Sequence, residues 1–268
     1  MTIARIVAVV VALGAVFVIL FAQLSTVVGL MPLRLSIRIA VMLVVDAVLL
    51  WAIFERRAPI FGRIISRARP RTPAIALTFD DGPTEPYTSQ ILDVLRAYDA
   101  HATFFVLGVR ARANPDVLRR ATAEGHEIAN HGWDHKALPL RGPAYTRDTI
   151  GRTSALIAQL TGRRPRWFRA PFGWRNPWVN RSARLEGCRP VAWSVGVYDT
   201  DSPGATTIAR RAIEGLRTGT ILLLHDGRSL EPSPDASQVV EAVPIILAAA
   251  RERGFKPLTL SALLANLE

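Results

Sequence analysis

Between positions 6 and 30 only Gln23, Ser25 and Thr26 break an apolar run, and the run contains no charge. At helical rise it exceeds the ~30 Å hydrocarbon core of a bilayer, so it can span with some tilt. A second run at 37–54 is shorter and carries Asp46 near its middle. A carboxylate at that depth is costly and usually faces a partner helix or a cavity, so Asp46 is expected to face the first helix. The second run is thus the weaker span. Together the two runs predict an N-terminal transmembrane helical hairpin over 1–55. A cleaved signal peptide is the competing reading. Against it stand a basic region of only five residues, an overlong apolar stretch and no clean small-x-small site.

Past position 73 the pattern changes to short β-rich runs at 74–79, 102–107, 127–129, 167–169, 191–195, 220–224 and around 255–258. Helix-like segments lie between them at 89–98, 115–124, 145–160, 177–186, 206–216 and 238–251, and 261–267 closes the chain. Asn114-Pro115 and Ser237 mark helix starts; Gly125, Gly162 and Gly187 mark ends. This alternation predicts an α/β domain of βαβ units on a parallel sheet. About seven strands favour a barrel, complete or incomplete, over a simple open sheet. The Arg- and Pro-rich stretch 56–72 reads as a basic juxtamembrane linker, giving boundaries at 1–55, 56–72 and 73–268.

Composition narrows the chemistry. Of 268 residues one is cysteine, Cys188, which excludes an intramolecular disulfide framework and a Cys-based zinc cage. Metal ligands, if any, must be His or carboxylate. The net charge is +11, and residues 1–72 supply +7 of it, with nine arginines against Asp46 and Glu55. Positive charge concentrated beside the most apolar segment fits a membrane surface, and no nucleic-acid-binding motif is present. Counted by the positive-inside bias, the arginines put both ends of a hairpin in the cytoplasm. If only the first run spans, the domain is extracytoplasmic.

In parallel βα architectures sites form where strands end. Here the chemistry-bearing residues sit at those ends: Asp80 and Asp81 after the first run, His131 and His135 after the third, Arg169 closing the fourth, Asp199 after the fifth and His225 after the sixth. A lone Asp before Gly-Pro would read as a turn residue. Two adjacent carboxylates repel unless a cation or base holds them, and their side chains diverge, so one can bind a metal while the other works as a base. In Asn130-His131-Gly132-Trp133-Asp134-His135 two imidazoles four apart can face one cation, although two solvated loop histidines fit the spacing equally. With Asp81 they make a His–His–Asp set. Such a set also serves non-haem iron oxygenases, but the order and the βα framework favour hydrolytic zinc chemistry. His225, leaving an apolar strand, is placed for proton transfer or for capping a turn. Arg169 between apolar residues is expected to pair with a carboxylate such as Asp80.

These residues resemble the polysaccharide deacetylase, or NodB-homology, domain of carbohydrate esterase family 4, over roughly 72–268. TFDDGP at 78–83 is the most specific motif. The HxxxH pair, Arg169-Ala170-Pro171-Phe172-Gly173 and the apolar strand ending in His225 follow in the family's order. The resemblance implies a distorted (β/α) barrel and one divalent metal ion, usually zinc, held by Asp81, His131 and His135. It implies Asp80 as catalytic base, Arg169 as the group orienting it, the Phe172 N–H as an oxyanion donor and His225 as general acid. The implied partner is an N-acetylated glycan, from which acetate leaves a free amino sugar. Lipid is the partner of the N-terminal spans; nucleic acid and a particular oligomeric state are not implied.

Three positions depart from the family pattern. Gly132 stands where Ser or Thr is common, and Phe172 where Tyr is. Gly196-Val197-Tyr198-Asp199-Thr200 replaces an Asp-x-x-Asp-Trp motif, keeping Asp199 and losing the first Asp and the Trp. A membrane-tethered glycan-binding pseudoenzyme and an O-deacetylase are the alternatives that follow. An extracytoplasmic domain, the slightly favoured placement, would meet peptidoglycan or exopolysaccharide; a cytoplasmic one would meet lipid-linked precursors.

Overall fold

The structure is a computed structural model that describes residues 16, 19, 20, 23, 33–55, 57–62, 64–229 and 234–265. The expected first span at 6–30 therefore lies outside the described residues, apart from four isolated positions. The second run forms helix α1, Leu33–Phe54, and its Ile37–Phe54 window has a mean hydropathy of 2.4 with little of it buried. Among the described residues this is the one helix long and apolar enough to cross a bilayer. Asp46 is exposed on it.

Then follow β1 (Ala74–Asp80), α2 (Tyr87–Ala97), β2 (Ala102–Val106), α3 (Gly108–Ala113), α4 (Pro115–Ala123), β3 (Glu127–Asn130), α5 (Pro143–Thr161) and β4 (Trp167–Phe168). The second half adds α6 (Pro177–Leu185), β5 (Arg189–Pro190), β6 (Val195–Gly196), α7 (Ala205–Gly215), β7 (Ile221–His225), α8 (Ser237–Glu252), β8 (Lys256–Pro257) and α9 (Leu260–Ala265). All pairings between these strands are parallel, in the order β5-β4-β3-β2-β1-β7-β6, and β8 joins the start of β1. The sheet curls into a barrel that does not close by strand pairing between β5 and β6. The expected strand at 191–195 is the point of difference. Residues 191–194 cross from one edge to the other, so the run divides into the end of β5's path and β6.

Strand parity builds the interior. On β1, Ile75, Leu77 and Phe79 pack outward against helical residues such as Leu92, Leu95, Val243 and Ile246. Ala74 and Ala76 face inward with Phe105, Ala129, Trp167 and Ile221, and Leu260 and Leu263 of α9 close that end. Alternation therefore sends Thr78 and Asp80 inward too. The same parity turns His225 inward after Ile221 and Leu223, and Arg169 inward after Trp167. Register sets Asp80 directly beside His225. Small residues on the inner face of β1 leave room for the Arg169 side chain, which is fully buried inside the barrel.

Helix α3, with no counterpart in the sequence pattern, fits where Gly108 lets Trp133 approach. A Cβ there would meet the indole at 2.2 Å. Part of the segment read as a linker pairs with the barrel. Ile65 bridges Val191 in parallel and accepts a hydrogen bond from the Ala192 N–H, and Arg67 bridges Thr220 from the other edge. Residues 65–68 thus cover the seam between β5 and β6, which explains why 191–195 needs no continuous strand.

Candidate active site

A cavity of about 340 Å³ opens at the C-terminal ends of the strands, lined by Asp80, Asp81, His131, His135, Phe172, Trp193, His225 and Ser229 among others. The sequence-predicted residues come together here. Asp81 Oδ1 lies 3.3 Å from His131 Nε2 and 3.1 Å from His135 Nε2. One ligand atom from each of the three falls within 4.8 Å of the others. Asp81 Oδ1 is buried and has no hydrogen-bond partner.

The hydrogen bonds of the imidazoles show which edge faces inward. His131 Nδ1 meets the Arg169 carbonyl at 2.8 Å, so it must donate, leaving the Nε2 lone pair for the cavity. His135 Nδ1 pairs with Ser229 Oγ at 3.1 Å, again leaving Nε2 inward. The two inward Nε2 atoms and a carboxylate oxygen converge on one point. That donor set fits a divalent cation of borderline softness. Burial works to raise the Asp81 carboxyl, but the neighbouring imidazoles of His131, His135 and His225 hold it well below the ordinary carboxylate range.

Asp80 lies on the other side of the same group. Arg169 Nη1 donates to its Oδ1 at 2.6 Å and to Thr78 Oγ1 at 2.9 Å, while Nη2 reaches the Ala192 carbonyl. The guanidinium also rests over the Phe105 ring at 4.0 Å. Asp80 Oδ2 stays turned toward the cavity, 3.7 Å from His131 Nε2. The expected Arg169–Asp80 pairing is thus formed.

His225 is held by a residue that the altered fourth motif retains. Asp199 accepts from the His225 backbone N–H at 2.7 Å and pairs with Nδ1 at 2.9 Å. Burial alone would lower the His225 pKa; the Asp199 charge and hydrogen bond overcome it and push the imidazole up to about 10. His225 is therefore protonated through neutral pH and loses that proton as pH rises through about 10. In Asp199→Asn the supporting charge is gone, so the basic limb of the rate–pH profile is expected to move to lower pH. An unmoved limb would show that Asp199 does not tune His225.

The other departures also find a structural reason. Gly132 adopts φ +84°, a conformation that penalises any side chain, and its N–H bonds to Asn130 Oδ1 at 2.7 Å. The next N–H bonds to Thr149 Oγ1. The loop is thus tied down without a hydroxyl at 132. Phe172 has φ +61° and is half exposed at the mouth, its ring against His135. Asp81, His135 and Ser229 also have positive φ, so left-handed backbone is concentrated around the cavity. Gly82 has a different constraint: a Cβ would meet the Asp226 carboxylate at 1.9 Å. Asp226 is fully buried, accepts from Thr88 Oγ1, and is pushed up to about 7 by that burial.

Ser229 and Asp199 are the supporting residues that the motif reading did not single out for roles. Nothing in the pattern around Ser229 marks it, because its role arises from where the 226–229 turn returns. Its N–H donates to Asp81 Oδ2 at 2.8 Å while its hydroxyl holds His135. Ser229→Ala keeps the N–H bond and removes the second. Metal affinity, read by chelator competition, is expected to fall by about 10-fold or more. Unaltered affinity would assign the serine a purely local role.

A family model described as polysaccharide deacetylase matches residues 67–191. A chitooligosaccharide deacetylase of Bradyrhizobium sp. (strain ANU 289) is 37% identical over 193 residues, covering 69% of this chain and 88% of that protein. The chain belongs to the polysaccharide deacetylase family. It is accordingly an enzyme of the deacetylase type, a hydrolase, as the motif resemblance implied. A peptidoglycan-N-acetylglucosamine deacetylase of Bacillus cereus is 36% identical, covering 71% of this chain and 87% of its own. Among solved structures, the peptidoglycan deacetylase PdaC of Bacillus subtilis superposes with a TM-score of 0.66 at 31% identity, over 74% of this chain and 93% of that one. The curled parallel sheet is therefore the barrel of carbohydrate esterase family 4.

Proposed function

We propose that this deacetylase is a metal-dependent N-deacetylase of an N-acetylated amino-sugar glycan, anchored in a membrane by α1 and the apolar run before it. The observation that carries the reading is the convergence of Asp81 Oδ1, His131 Nε2 and His135 Nε2 next to Asp80, with His225 beside Asp80 on the neighbouring strand. Asp81, His131 and His135 hold one divalent ion, for which zinc is the natural candidate. When bound, the ion supplies Lewis acidity toward the acetamide carbonyl and lowers the pKa of water in the site.

The chain's own groups then divide the proton work. Asp80, fixed through Oδ1 by Arg169, takes a proton from the attacking water with its free oxygen. The Phe172 N–H, set by its left-handed backbone, donates to the carbonyl oxygen as negative charge develops there. His225, kept protonated by Asp199, gives its proton to the departing nitrogen. The C–N bond breaks, and the products are acetate and a free amine. Glycan as the substrate class is supported by the similarity to chitooligosaccharide and peptidoglycan deacetylases.

The test is acetate release from N-acetylated chito-oligomers by the full-length protein in detergent. Turnover is expected to be lost on chelation and recovered with added zinc. Turnover indifferent to chelation would remove the metal from the reading, and a folded, zinc-replete protein that releases no acetate would leave a glycan-binding pseudoenzyme.

A further inference from the structure

The last turn of α1 is docked on the rim of the catalytic cavity. Phe54, the final residue of the apolar window, meets Trp174 edge-on at 4.8 Å between ring centroids. Trp174 packs on Phe172 at 4.9 Å, and Phe172 packs on His135 at 4.5 Å. Three ring contacts thus join the end of the span to a metal-site imidazole. Hydrogen bonds reinforce the contact: the Arg175 N–H donates to the Ile53 carbonyl, and its guanidinium to the Ala58 carbonyl at 2.9 Å. On a second wall, Arg57 donates to the Ser194 carbonyl at 2.8 Å, next to Trp193, which lines the cavity.

The segment after the span has no slack. Were 56–73 a free tether, its eighteen residues could extend about 60 Å and carry the domain well off the bilayer. Instead, Ile65 and Arg67 are taken up by the barrel seam. Aromatic rings with an arginine just beyond an apolar helix are also the composition of a membrane interface, and Phe172 is half exposed there. With α1 as the span, the mouth lies at the level where that span ends.

We infer that the site works at the bilayer surface on an N-acetylated amino sugar carried by a membrane lipid, rather than on a glycan strand away from it. This rests on the deacetylase and anchoring readings above. Enzyme and lipid-borne substrate sharing one surface gain effective concentration, and a docked mouth meets the headgroup without undocking.

The experiment uses the full chain in liposomes with N-acetylglucosaminyl diphosphoprenol in the same bilayer, against soluble chitotetraose at equal bulk concentration. Acetate release is expected to be about 10²-fold faster from the lipid-borne sugar. Phe54→Ala combined with Arg57→Ala should erase most of that advantage and keep the soluble rate. A flexible insert of about 20 residues after Glu55 should do the same. Equal or faster turnover of chitotetraose overturns the inference and leaves the deacetylase intact, as does an advantage that survives both undocked variants. Silence on both substrates overturns the deacetylase reading itself, and release of the chain by alkaline carbonate overturns the anchor.

Discussion

Asp80→Asn is expected to slow acetate release by about 10²–10⁴-fold while zinc still binds. The asparagine carbonyl can accept the Arg169 hydrogen bond that Asp80 Oδ1 now accepts at 2.6 Å, so the side chain keeps its place. It has no lone pair basic enough to take a proton from water. Asp81, His131 and His135 are untouched, so chelator competition should report an ion held as in the parent. Single-turnover acetate release with zinc occupancy measured on the same sample checks both halves. Parent-like turnover would remove Asp80 as the base. Lost zinc would show that Asp80 is needed to form the cation site.

Arg169→Met is expected to cost about 3–5 kcal/mol of stability as well as most of the activity. The guanidinium is fully buried and is the partner of Asp80 across the barrel. Removing it leaves a carboxylate in the interior without its counter-charge, whose desolvation is no longer offset. Thermal melting should fall by roughly 10 °C for a domain of this size. Adding Asp80→Asn to that variant removes the stranded charge, so stability is expected to return in large part while activity does not. That reversal separates a charge-balance role from simple packing over Phe105, because a packing defect would persist in the double variant.

Much of the barrel was legible because two periodicities in the chain coincide with its geometry. A strand buried on both faces, such as 74–80, reads as an apolar run that only Thr78 interrupts before Asp80, and every residue of it is buried. The helix ends at Gly125, Gly162 and Gly187 were legible for a local reason, since all three adopt positive φ. Asn114 precedes a helix as expected, but its side chain caps nothing and bonds instead to the Pro83 and Arg110 carbonyls. Helix α3 was not legible, because six residues are too few to show a period. The role of 65–68 was not either: a bridge to Val191 depends on a seam created by strands far along the chain.

The same division holds for the site. The residue types, their order and the strand ends on which they sit are properties of the sequence, because alternation along each strand fixes which side chains point inward. Tertiary structure alone decided that Asp199 holds His225, that Ser229 braces both Asp81 and His135, and that the end of α1 lies against the cavity rim. Those contacts join residues 26 to more than 100 positions apart. No local pattern encodes such a distance; only the curling of the sheet brings the partners within bonding reach.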